Sequence, residues 1–396
     1  MTFHSVLVTI DEAFQEYGIT PDEIRLLVKK GLLRSHVGQD GTRRFTPKAL
    51  QSVGKSDPWR SLHAPTGSLS SIELFCGAGG LALGMHNAGI NNTMLVDVDR
   101  DSVATINRNR LDWNALCRSV ADVDLLEHRD RVDIMAGGFP CQAFSYAGDM
   151  QGLDDARGTL FWEFARLIGQ VRPRLVIGEN VRGLITHDSG RTLQTMISIL
   201  EGLGYRVEYR LLRSQFLDVP QKRERLVIFG LRNDEPGEII FPIEGETTTS
   251  LRACLKNVPD SQYSKYSKER ARVMDLVAPG SNWTSLPEHE QIAYLGKSAS
   301  TPGGKTGTAR RLAWDEPSPT LTCSPSQKQT ERCHPDETRP LTVREYARVQ
   351  TFPDTWQFAG GVGSQYRQIG NAVPVNMGFH IGVAARATLG DPVPTA

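Results

Sequence analysis

Hydrophobic and polar positions follow two different periods in the central part of the chain, residues 71–232. Short apolar runs typical of buried strands are separated there by stretches with the helical spacing of apolar residues. The predicted strands are, in chain order, SIELFCG, TMLVDVD, VDIMAGG, RLVIGEN and RLVIFGLR. This alternation predicts an α/β fold in which a parallel sheet carries helices on both faces.

The pattern changes on both sides of this α/β region. The stretch before it is rich in Pro, Gly and Ser, which predicts a linker. After it the periodicity is lost, until an apolar segment near the end predicts a helix that packs back on the sheet. The predicted divisions are a first domain at 1–55, a linker at 56–70, the α/β domain at 71–232, an irregular domain at 233–361 and a C-terminal part of the α/β domain at 362–396.

The first domain combines helix and hairpin signals. Thr20 as N-cap with Pro21 behind it predicts the start of a helix, and the Asp40–Gly41 pair predicts a hairpin turn flanked by basic residues. Two helices and a basic hairpin resemble the winged-helix DNA-binding modules of the MerR and excisionase type, with Arg43 and Arg44 as expected DNA contacts. The alternative is a small helical cap on the larger domain.

Composition narrows the class of protein. The 396 residues are 39% apolar and 23% charged, which indicates a globular protein of two or three domains. The sequence has no apolar run of about 18 residues and no secretory signal, so no membrane span is expected. Six scattered cysteines favour a reducing cytoplasm over a disulfide framework.

Charge and metal signals are weak. The 45 basic and 45 acidic residues give zero formal net charge, so contact with nucleic acid would require a locally basic cleft. Cys323, Cys333 and His334 match no zinc spacing, and no metal is expected.

A glycine-rich turn follows the first predicted strand. Its glycines depart from the G-x-G-x-x-G spacing of nicotinamide-binding dehydrogenases, but they allow a ligand to approach the backbone before a helix begins. Asp97 ends the next strand about 20 residues later, where a carboxylate accepts hydrogen bonds from ribose hydroxyls. These signals predict an adenosine-containing cofactor.

A second group of polar residues follows the later strands. Cys141 lies just after one strand, Glu179 ends the next, and Arg223 and Arg225 precede a third. We expect these strand ends to meet at one edge of the sheet, where open α/β folds bind ligands. Each of these residues also has an alternative interpretation without a catalytic role. Cys141 could be a small buried residue, and Glu179 could be a solvated loop residue. The two arginines could belong to an exposed run of charges.

The motifs taken together resemble a known family. FCGAGG, GGFPCQAFS, GENVRG, QKRERLVIFG, RPLTVREYARVQTFPD and QIGNAVPV resemble the DNA cytosine 5-methyltransferases of the prokaryotic modification type, over residues 71–386. The resemblance implies an S-adenosylmethionine-dependent, Rossmann-like methyltransferase fold with a mixed sheet and helices on both faces. It also implies that residues 233–361 form a smaller, irregular target-recognition domain.

The resemblance further implies a covalent mechanism on a cytosine flipped out of duplex DNA. Cys141 would attack carbon 6, Glu179 would meet ring nitrogen 3, and Arg225 would lie near the carbonyl oxygen of the base and hold Glu179. Arg223 and Asn180 are expected at the same site.

The remaining implied contacts fall into two sets. The cofactor-binding residues would be Phe75, Gly77, Ala78, Gly80, Asp97, Val98, Asp122, Val123, Pro140 and Asn371. Beyond the first domain, the DNA-binding residues would be Gln142, Ser145, Lys305, Arg310, Arg311, Gln327 and Lys328.

Two alternative functions stay open at this point. One is a cytosine-5 methyltransferase acting on tRNA, and the other is a transcriptional regulator that retains a methyltransferase body. The preferred hypothesis is a cytoplasmic modification enzyme that acts on double-stranded DNA. Its expected associations are a cognate restriction endonuclease encoded nearby and its own promoter, bound through residues 1–55.

Overall fold

A computed structural model describes most of the chain. The described residues are 68–140, 160–295 and 307–391, with 8–9, 24, 28, 36–37 and 42–46 near the N-terminus. The chain divides into two compact units, one formed by residues 1–63 with 394–396 and the other by residues 64–393. The boundary between these units falls inside the predicted linker.

The first unit contains a small antiparallel sheet. Its strands are β1 (Val8–Thr9), β2 (His36–Val37) and β3 (Arg43–Phe45). β3 lies between the other two, and β2 pairs with it antiparallel, which confirms the predicted hairpin. Ile24 is helical and buried. The side chain of Phe45, at the end of β3, is also buried. Thr20, Pro21 and the Asp40–Gly41 turn lie outside the described residues.

The second unit is built on a seven-stranded sheet. Its strands and those of a two-stranded ladder are, in chain order, β4 (Ser70–Leu74), β5 (Asn91–Asp97), β6 (Ala115–Cys117), β7 (Ile134–Gly137), β8 (Leu175–Val181), β9 (Tyr205–Arg213), β10 (Gln221–Lys222), β11 (Glu224–Arg232) and β12 (Ser318–Pro319). The order in the large sheet is β6-β5-β4-β7-β8-β11-β9, and β10 pairs with β12.

The five predicted strands are all present, but the expectation of a wholly parallel sheet was wrong. β4 to β8 run parallel, whereas β11 runs antiparallel to both β8 and β9. The mixed sheet implied by the family resemblance is therefore confirmed. The apolar runs gave no sign of the reversal because they carry no information on strand direction.

Helices cover both faces of the sheet. In chain order the helices are α1 (Gly80–Asn87), α2 (Arg100–Asn109), α3 (Leu160–Val171), α4 (Arg191–Gly202), α5 (Leu251–Cys254), α6 (Lys268–Asp275), α7 (Glu288–Leu295), α8 (Val343–Val349), α9 (Val362–Asn371) and α10 (Val375–Thr388). Successive residues of β7 show the division, because Met135 belongs to one apolar cluster while Ile134 and Ala136 belong to the other. α3 and α4 contribute to the first cluster, and α1 and α10 contribute to the second.

The C-terminal helix α10 contributes to the apolar cluster on one face of the sheet, as the sequence predicted, and it also packs closely on α1. Glycines make this contact possible: a Cβ atom on Gly84 would lie 2.4 Å from the carbonyl oxygen of Val375 and 2.5 Å from the carbonyl carbon of Gly378. Such distances exclude any side chain at residue 84 unless the two helices move apart.

The segment 233–361 has little regular structure in its described part, as predicted. It has a small apolar core of its own, to which Met274, Trp283 and Cys333 contribute. The β10–β12 ladder joins it to the edge of the large sheet. Within the described parts of the chain, no helix is long and apolar enough to span a bilayer.

Candidate active site

A cavity of about 1070 Å³ lies at the carboxyl edge of the parallel strands. The ends of β4, β5, β7 and β8 line it, and the start of β11 joins them. Two later segments, residues 320–323 and 370–373, complete its wall. The strand ends that carry the candidate residues therefore meet, as the sequence predicted.

A buried ion pair lies in this cavity. Arg225 Nε is 2.7 Å from Glu179 Oε1, and each side chain is only 12% exposed. The antiparallel register of β11 places Arg225 opposite Val181 and Val227 opposite Glu179. A parallel strand would have put Arg225 at the opposite edge of the sheet, so the reversal of β11 is what brings this cation to the carboxylate.

The two charges stabilise one another. Burial lowers the pKa of the Arg225 guanidinium, and the adjacent Glu179 carboxylate opposes that shift. The pair is a charge-assisted hydrogen bond in a largely dehydrated place, where such bonds are strongest. The two side chains therefore lie together on the cavity wall.

A side chain of β8 fixes the backbone segment that precedes Cys141. Asn180 is buried, and its Nδ2 donates to the carbonyl oxygen of Phe139 at 2.9 Å. A Cβ atom on Gly138 would lie 3.2 Å from Glu179 Oε2, so glycine leaves that carboxylate its space. Pro140 lines the cavity. Cys141 itself, with Gln142 and Ser145, lies outside the described residues.

Arg223 is placed differently from Arg225. It is 2% exposed, and its terminal nitrogens donate to the carbonyl oxygens of Leu321, Gly370 and Ala372 at 3.2 Å. Burial lowers its pKa to about 9. These contacts join three segments of the cavity wall, so Arg223 acts on the site by positioning its backbone.

The glycine-rich turn and the end of β5 form the other half of the cavity. The Asp97 carboxylate accepts a hydrogen bond from Gly77 N and another from Asp99 N, both at 2.8 Å. Burial raises its pKa. Val98 lies on the cavity wall and is 71% exposed, which is unusual for a large apolar residue and suits the flat face of a bound base. Phe75 also lines this part and has φ 56°.

Sequence reasoning missed Glu73, a charged residue next to the last position of β4. It is 3% exposed and lines the cavity, and among the described residues its Oε2 atom has no hydrogen-bond partner. Burial raises its pKa well above the usual range, and the Asp97 and Glu179 carboxylates add to the shift. The signal that was available is the acidic letter inside the apolar run SIELF, since buried carboxylates normally need a partner. A cationic ligand group would supply that partner.

Comparison with known proteins identifies the family. The model of the C-5 cytosine-specific DNA methylase family matches residues 69–386. The chain belongs to the C-5 cytosine-specific DNA methylase family. It is a DNA cytosine-5 methyltransferase of the prokaryotic modification type, with S-adenosylmethionine as methyl donor and double-stranded DNA as substrate.

The relatives agree with this assignment. The type II methyltransferase M.Eco47II of Escherichia coli is 46% identical over 391 residues, which cover 94% of each chain. M.Sau96I of Staphylococcus aureus is 49% identical over 318 residues, 78% of this chain and 74% of the relative. Among solved structures, the methyltransferase EhMeth of Entamoeba histolytica shares the fold with a TM-score of 0.57 at 15% identity, covering 82% of this chain and 99% of that one.

The methylase uses part of its glycine turn for packing. Gly77 lines the cavity, whereas Ala78 is fully buried away from it. A Cβ atom on Gly80 would lie 2.2 Å from the carbonyl oxygen of Val373, so this glycine lets α1 pack on the C-terminal segment. The expectation that Ala78 and Gly80 contact the cofactor is therefore corrected.

The expected contacts at Asp122 and Val123 are corrected as well. Asp122 is exposed in a short 3₁₀ turn, and Val123 is buried in the apolar cluster under α3. The residues just before them form this part of the wall instead. The cavity-lining residues here are Arg118, Ser119 and Val120. Asn371 lines the cavity as expected, and its Oδ1 accepts a hydrogen bond from Cys323 Sγ at 3.0 Å.

The candidate DNA-binding residues separate into several groups. Arg311 is 5% exposed, and its donors are used by four backbone carbonyls and the Thr338 hydroxyl. Its expected phosphate contact is corrected, because a buried and fully engaged guanidinium has no donor for DNA. Gln327 is exposed on the cavity wall, and Lys328 lies over the Tyr294 ring.

The remaining candidate DNA-binding residues are Arg310, Arg43, Arg44 and Lys305. Arg310 is half-buried, and its Nε has no hydrogen-bond partner among the described residues. In the first unit, Arg43 is exposed and Arg44 is half-buried on β3. Lys305 lies outside the described residues.

Proposed function

We propose that Cys141, Glu179 and Arg225 form the catalytic centre that methylates a flipped cytosine. The observation that carries this proposal is the Glu179–Arg225 ion pair on the cavity wall, beside the Gly138–Pro140 segment that directly precedes Cys141 in the chain. The roles follow from the needs of the base, because carbon 5 of cytosine is a poor nucleophile.

Each residue has a defined task. The Cys141 thiolate adds to carbon 6, which makes carbon 5 nucleophilic. Glu179 donates or shares a proton at ring nitrogen 3, and Arg225 holds Glu179 and meets the carbonyl oxygen of the base. Loss of the proton from carbon 5 and elimination of the thiol then restore the aromatic ring. S-adenosylmethionine supplies the electrophilic methyl group.

The residues on the other side of the cavity fit this cofactor. Asp97 has carboxylate oxygens for ribose hydroxyls, and Phe75 and Val98 offer apolar surface for the adenine. The Glu73 Oε2 atom, which has no hydrogen-bond partner among the described residues, suits the ammonium group of the methionine part. This contact would explain why a carboxylate is buried at this position. Gly77 and Asn371 complete the set that would hold the cofactor.

The covalent step can be tested by trapping. A duplex that carries 5-fluorocytosine at the target cannot lose a proton from carbon 5, so elimination is blocked. With S-adenosylmethionine present, the wild-type enzyme should form a stable adduct at Cys141, detected by peptide mass spectrometry, and Cys141→Ser should form none. Turnover retained by Cys141→Ser, or an adduct at another residue, would contradict the proposal.

We also propose the wider biological role and the domain assignment. The names of the relatives, which are type II methyltransferases, support a modification enzyme of a restriction–modification system, working in the cytoplasm beside a cognate endonuclease. In this assignment residues 71–232 and 362–396 form the catalytic domain and residues 233–361 recognise the target. The first domain is a winged-helix-like module, for which the pairing of β3 with both β1 and β2 is support, and it would bind the promoter of the enzyme's own gene.

A further inference from the structure

The thiol of Cys323 contacts the side chain of Asn371 on the wall of the catalytic cavity. Cys323 Sγ donates to Asn371 Oδ1 at 3.0 Å. The thiol has a hydrogen to donate, and of the two ends of an amide group only the oxygen accepts one. The contact therefore selects one of the two orientations of the Asn371 amide, the one in which Nδ2 lies on the side away from the sulfur.

The backbone segments that carry these two residues pack directly against each other. A Cβ atom on Gly370 would lie 2.1 Å from the carbonyl oxygen of Thr322, so the two residues meet backbone to backbone. The Tyr346 hydroxyl fixes the same place, because it donates to the Thr322 carbonyl oxygen at 2.7 Å and accepts from Thr322 N at 3.0 Å. Cys323 and Asn371 each follow this junction by one residue, which is the arrangement of a preorganised pair.

Two polar atoms of opposite character on the cavity wall have no partner. Among the described residues, neither the acceptor Glu73 Oε2 nor the donor Asn371 Nδ2 forms a hydrogen bond. Glu73 is 3% exposed, so its free oxygen marks the place of a ligand with a cationic group. The methionine part of the cofactor has an ammonium group for Glu73 and a carboxylate that needs a donor. Arg223 and Arg225 already have partners, so Asn371 Nδ2 is the donor that fits this carboxylate.

We propose that Cys323 is a positioning residue for the cofactor, whose thiol holds the Asn371 amide so that Nδ2 donates to the carboxylate of the methionine part. This inference rests on the proposed function and adds to the cofactor site a residue from the segment assigned to target recognition. Without the thiol, the amide is free to turn over and present its oxygen to the cavity. An amide oxygen repels a carboxylate, so cofactor binding would first have to restore the amide orientation that the thiol fixes in advance.

The test compares two ligands that differ only in the carboxylate. Calorimetry without DNA gives the Kd of S-adenosylmethionine and that of its decarboxylated form, which keeps the amino group. The wild-type protein should bind the decarboxylated form about 10-fold more weakly or worse, because a hydrogen bond to a charged group is lost. Cys323→Ala should weaken S-adenosylmethionine binding by about 3- to 10-fold and leave binding of the decarboxylated form unchanged, so that the ratio of the two Kd values falls.

Three further variants separate positioning from a general structural effect. Cys323→Ser keeps a donor at the same place and should hold the ratio within about twofold of the wild-type value. Asn371→Ala should lower the ratio, and adding Cys323→Ala to it should have no further effect, because the thiol acts only through the amide. Ser324→Ala is the control: its hydroxyl is next in the chain and contacts Ser326 at 3.2 Å, so the ratio should stay that of the wild type.

Three results would overturn the inference. One is a Cys323→Ala protein that binds both ligands more weakly by the same factor, or binds both as the wild type does. Another is a Cys323→Ser protein with the same loss as Cys323→Ala. The third is an additive loss in the double variant with Asn371→Ala, which would show that the thiol acts independently of the amide. Absence of S-adenosylmethionine binding by the wild-type protein would instead contradict the proposed function.

Discussion

At the scale of single residues, the site contains two buried carboxylates, of which one is paired with an arginine and the other is not. Glu179 and Arg225 are paired, and each would be left as an uncompensated charge if the other were removed. Glu73 is more deeply buried, and its Oε2 atom has no hydrogen-bond partner among the described residues. In the proposed mechanism Glu179 takes part in the reaction and Glu73 in cofactor binding.

Glu179→Gln should reduce the rate of methyl transfer sharply. The amide cannot supply a proton to ring nitrogen 3, and it leaves Arg225 without its counter-charge, so we expect a loss of about 10²- to 10⁴-fold in kcat. DNA and cofactor affinities should change little, and single-turnover kinetics separate these quantities. Glu224→Gln, at an exposed residue that pairs with Arg182, is the control. A Glu179→Gln enzyme within about 10-fold of the wild-type rate would contradict the assigned role.

Glu73→Gln should lower the affinity for the cofactor and raise the stability of the cofactor-free protein. Loss of the charge should weaken S-adenosylmethionine binding by about 10-fold or more, measured by calorimetry. A carboxyl group whose pKa is raised by folding adds stability below its unfolded pKa of about 4.3 and loses it as the pH rises through the folded pKa. The gain in melting temperature of the cofactor-free variant over wild type should therefore be larger at about pH 8 than at about pH 5.

A matched variant checks this reading of Glu73. Glu127 is exposed, and Glu127→Gln should change neither the cofactor affinity nor the pH dependence of melting. Equal gains in melting temperature for Glu73→Gln at both pH values would mean that Glu73 is ionised to the same extent in the folded and unfolded chains.

At the scale of elements, two arrangements build the site. The reversal of β11 brings Arg225 to the edge where β8 ends, and the close crossing of α1 and α10 fixes the segment 370–373 in the wall. Both bring together residues that are far apart in the chain. The second arrangement can be tested without touching a residue that contacts ligand.

Gly84→Ala should destabilise the methylase. The added Cβ would clash with the backbone of α10, and overpacking of this kind costs about 3 kcal/mol in the free energy of unfolding. Gly169→Ala in α3 is the control, because its Cβ would meet only Leu203 Cδ2 at 3.6 Å. Alanine's higher helix propensity should make that variant neutral or more stable by about 0.5 kcal/mol. Denaturant unfolding of both variants gives the comparison, and equal stabilities would contradict the tight crossing.

Much of this element structure follows from the sequence, and the exceptions have physical causes. Buried strands such as β4 and β8 are apolar on both faces, so their runs stand out. β9 was not predicted because it lies at the edge of the sheet, where charged and aromatic residues such as Arg206, Glu208 and Tyr209 replace the apolar run. Strand direction was missed for β11 because it is decided by connections and packing rather than by composition.

The site shows the same division. Asp97, Glu179 and Arg225 were predictable because they end or begin strands at one edge. Arg311 was misassigned because a basic residue in an irregular segment looks like a DNA contact, while its actual partners are backbone carbonyls that no sequence pattern marks. Glu73 was overlooked because the feature that marks it, an Oε2 atom without a hydrogen-bond partner among the described residues, belongs to the structure and not to a sequence pattern.

At the scale of the whole molecule, binding of DNA cannot depend on net charge. Equal numbers of basic and acidic residues leave no overall attraction, so affinity must come from local groups. In the proposed assignment the two units have separable roles, with methylation in the second and contact with a regulatory sequence in the first.

Removal of residues 1–63 should leave methylation almost unchanged. We expect kcat/KM on the natural site within about threefold of the full-length value, whereas affinity for a fragment of the gene's own promoter should fall by about 10-fold or more, measured by electrophoretic shift at fixed salt. Arg43→Gln in the full chain should reproduce part of the second effect alone, because Arg43 is exposed on β3. A truncated protein that binds cofactor but cannot methylate would contradict the separation.

The late position of α9 and α10 has a consequence for biosynthesis. Residues 370–373 contribute one side of the cofactor cavity, and they are made only after nearly all other parts of that cavity have left the ribosome. A nascent chain that has not yet docked these helices has an open-sided cavity. The enzyme therefore cannot close its cofactor cavity until these helices have been synthesised and docked.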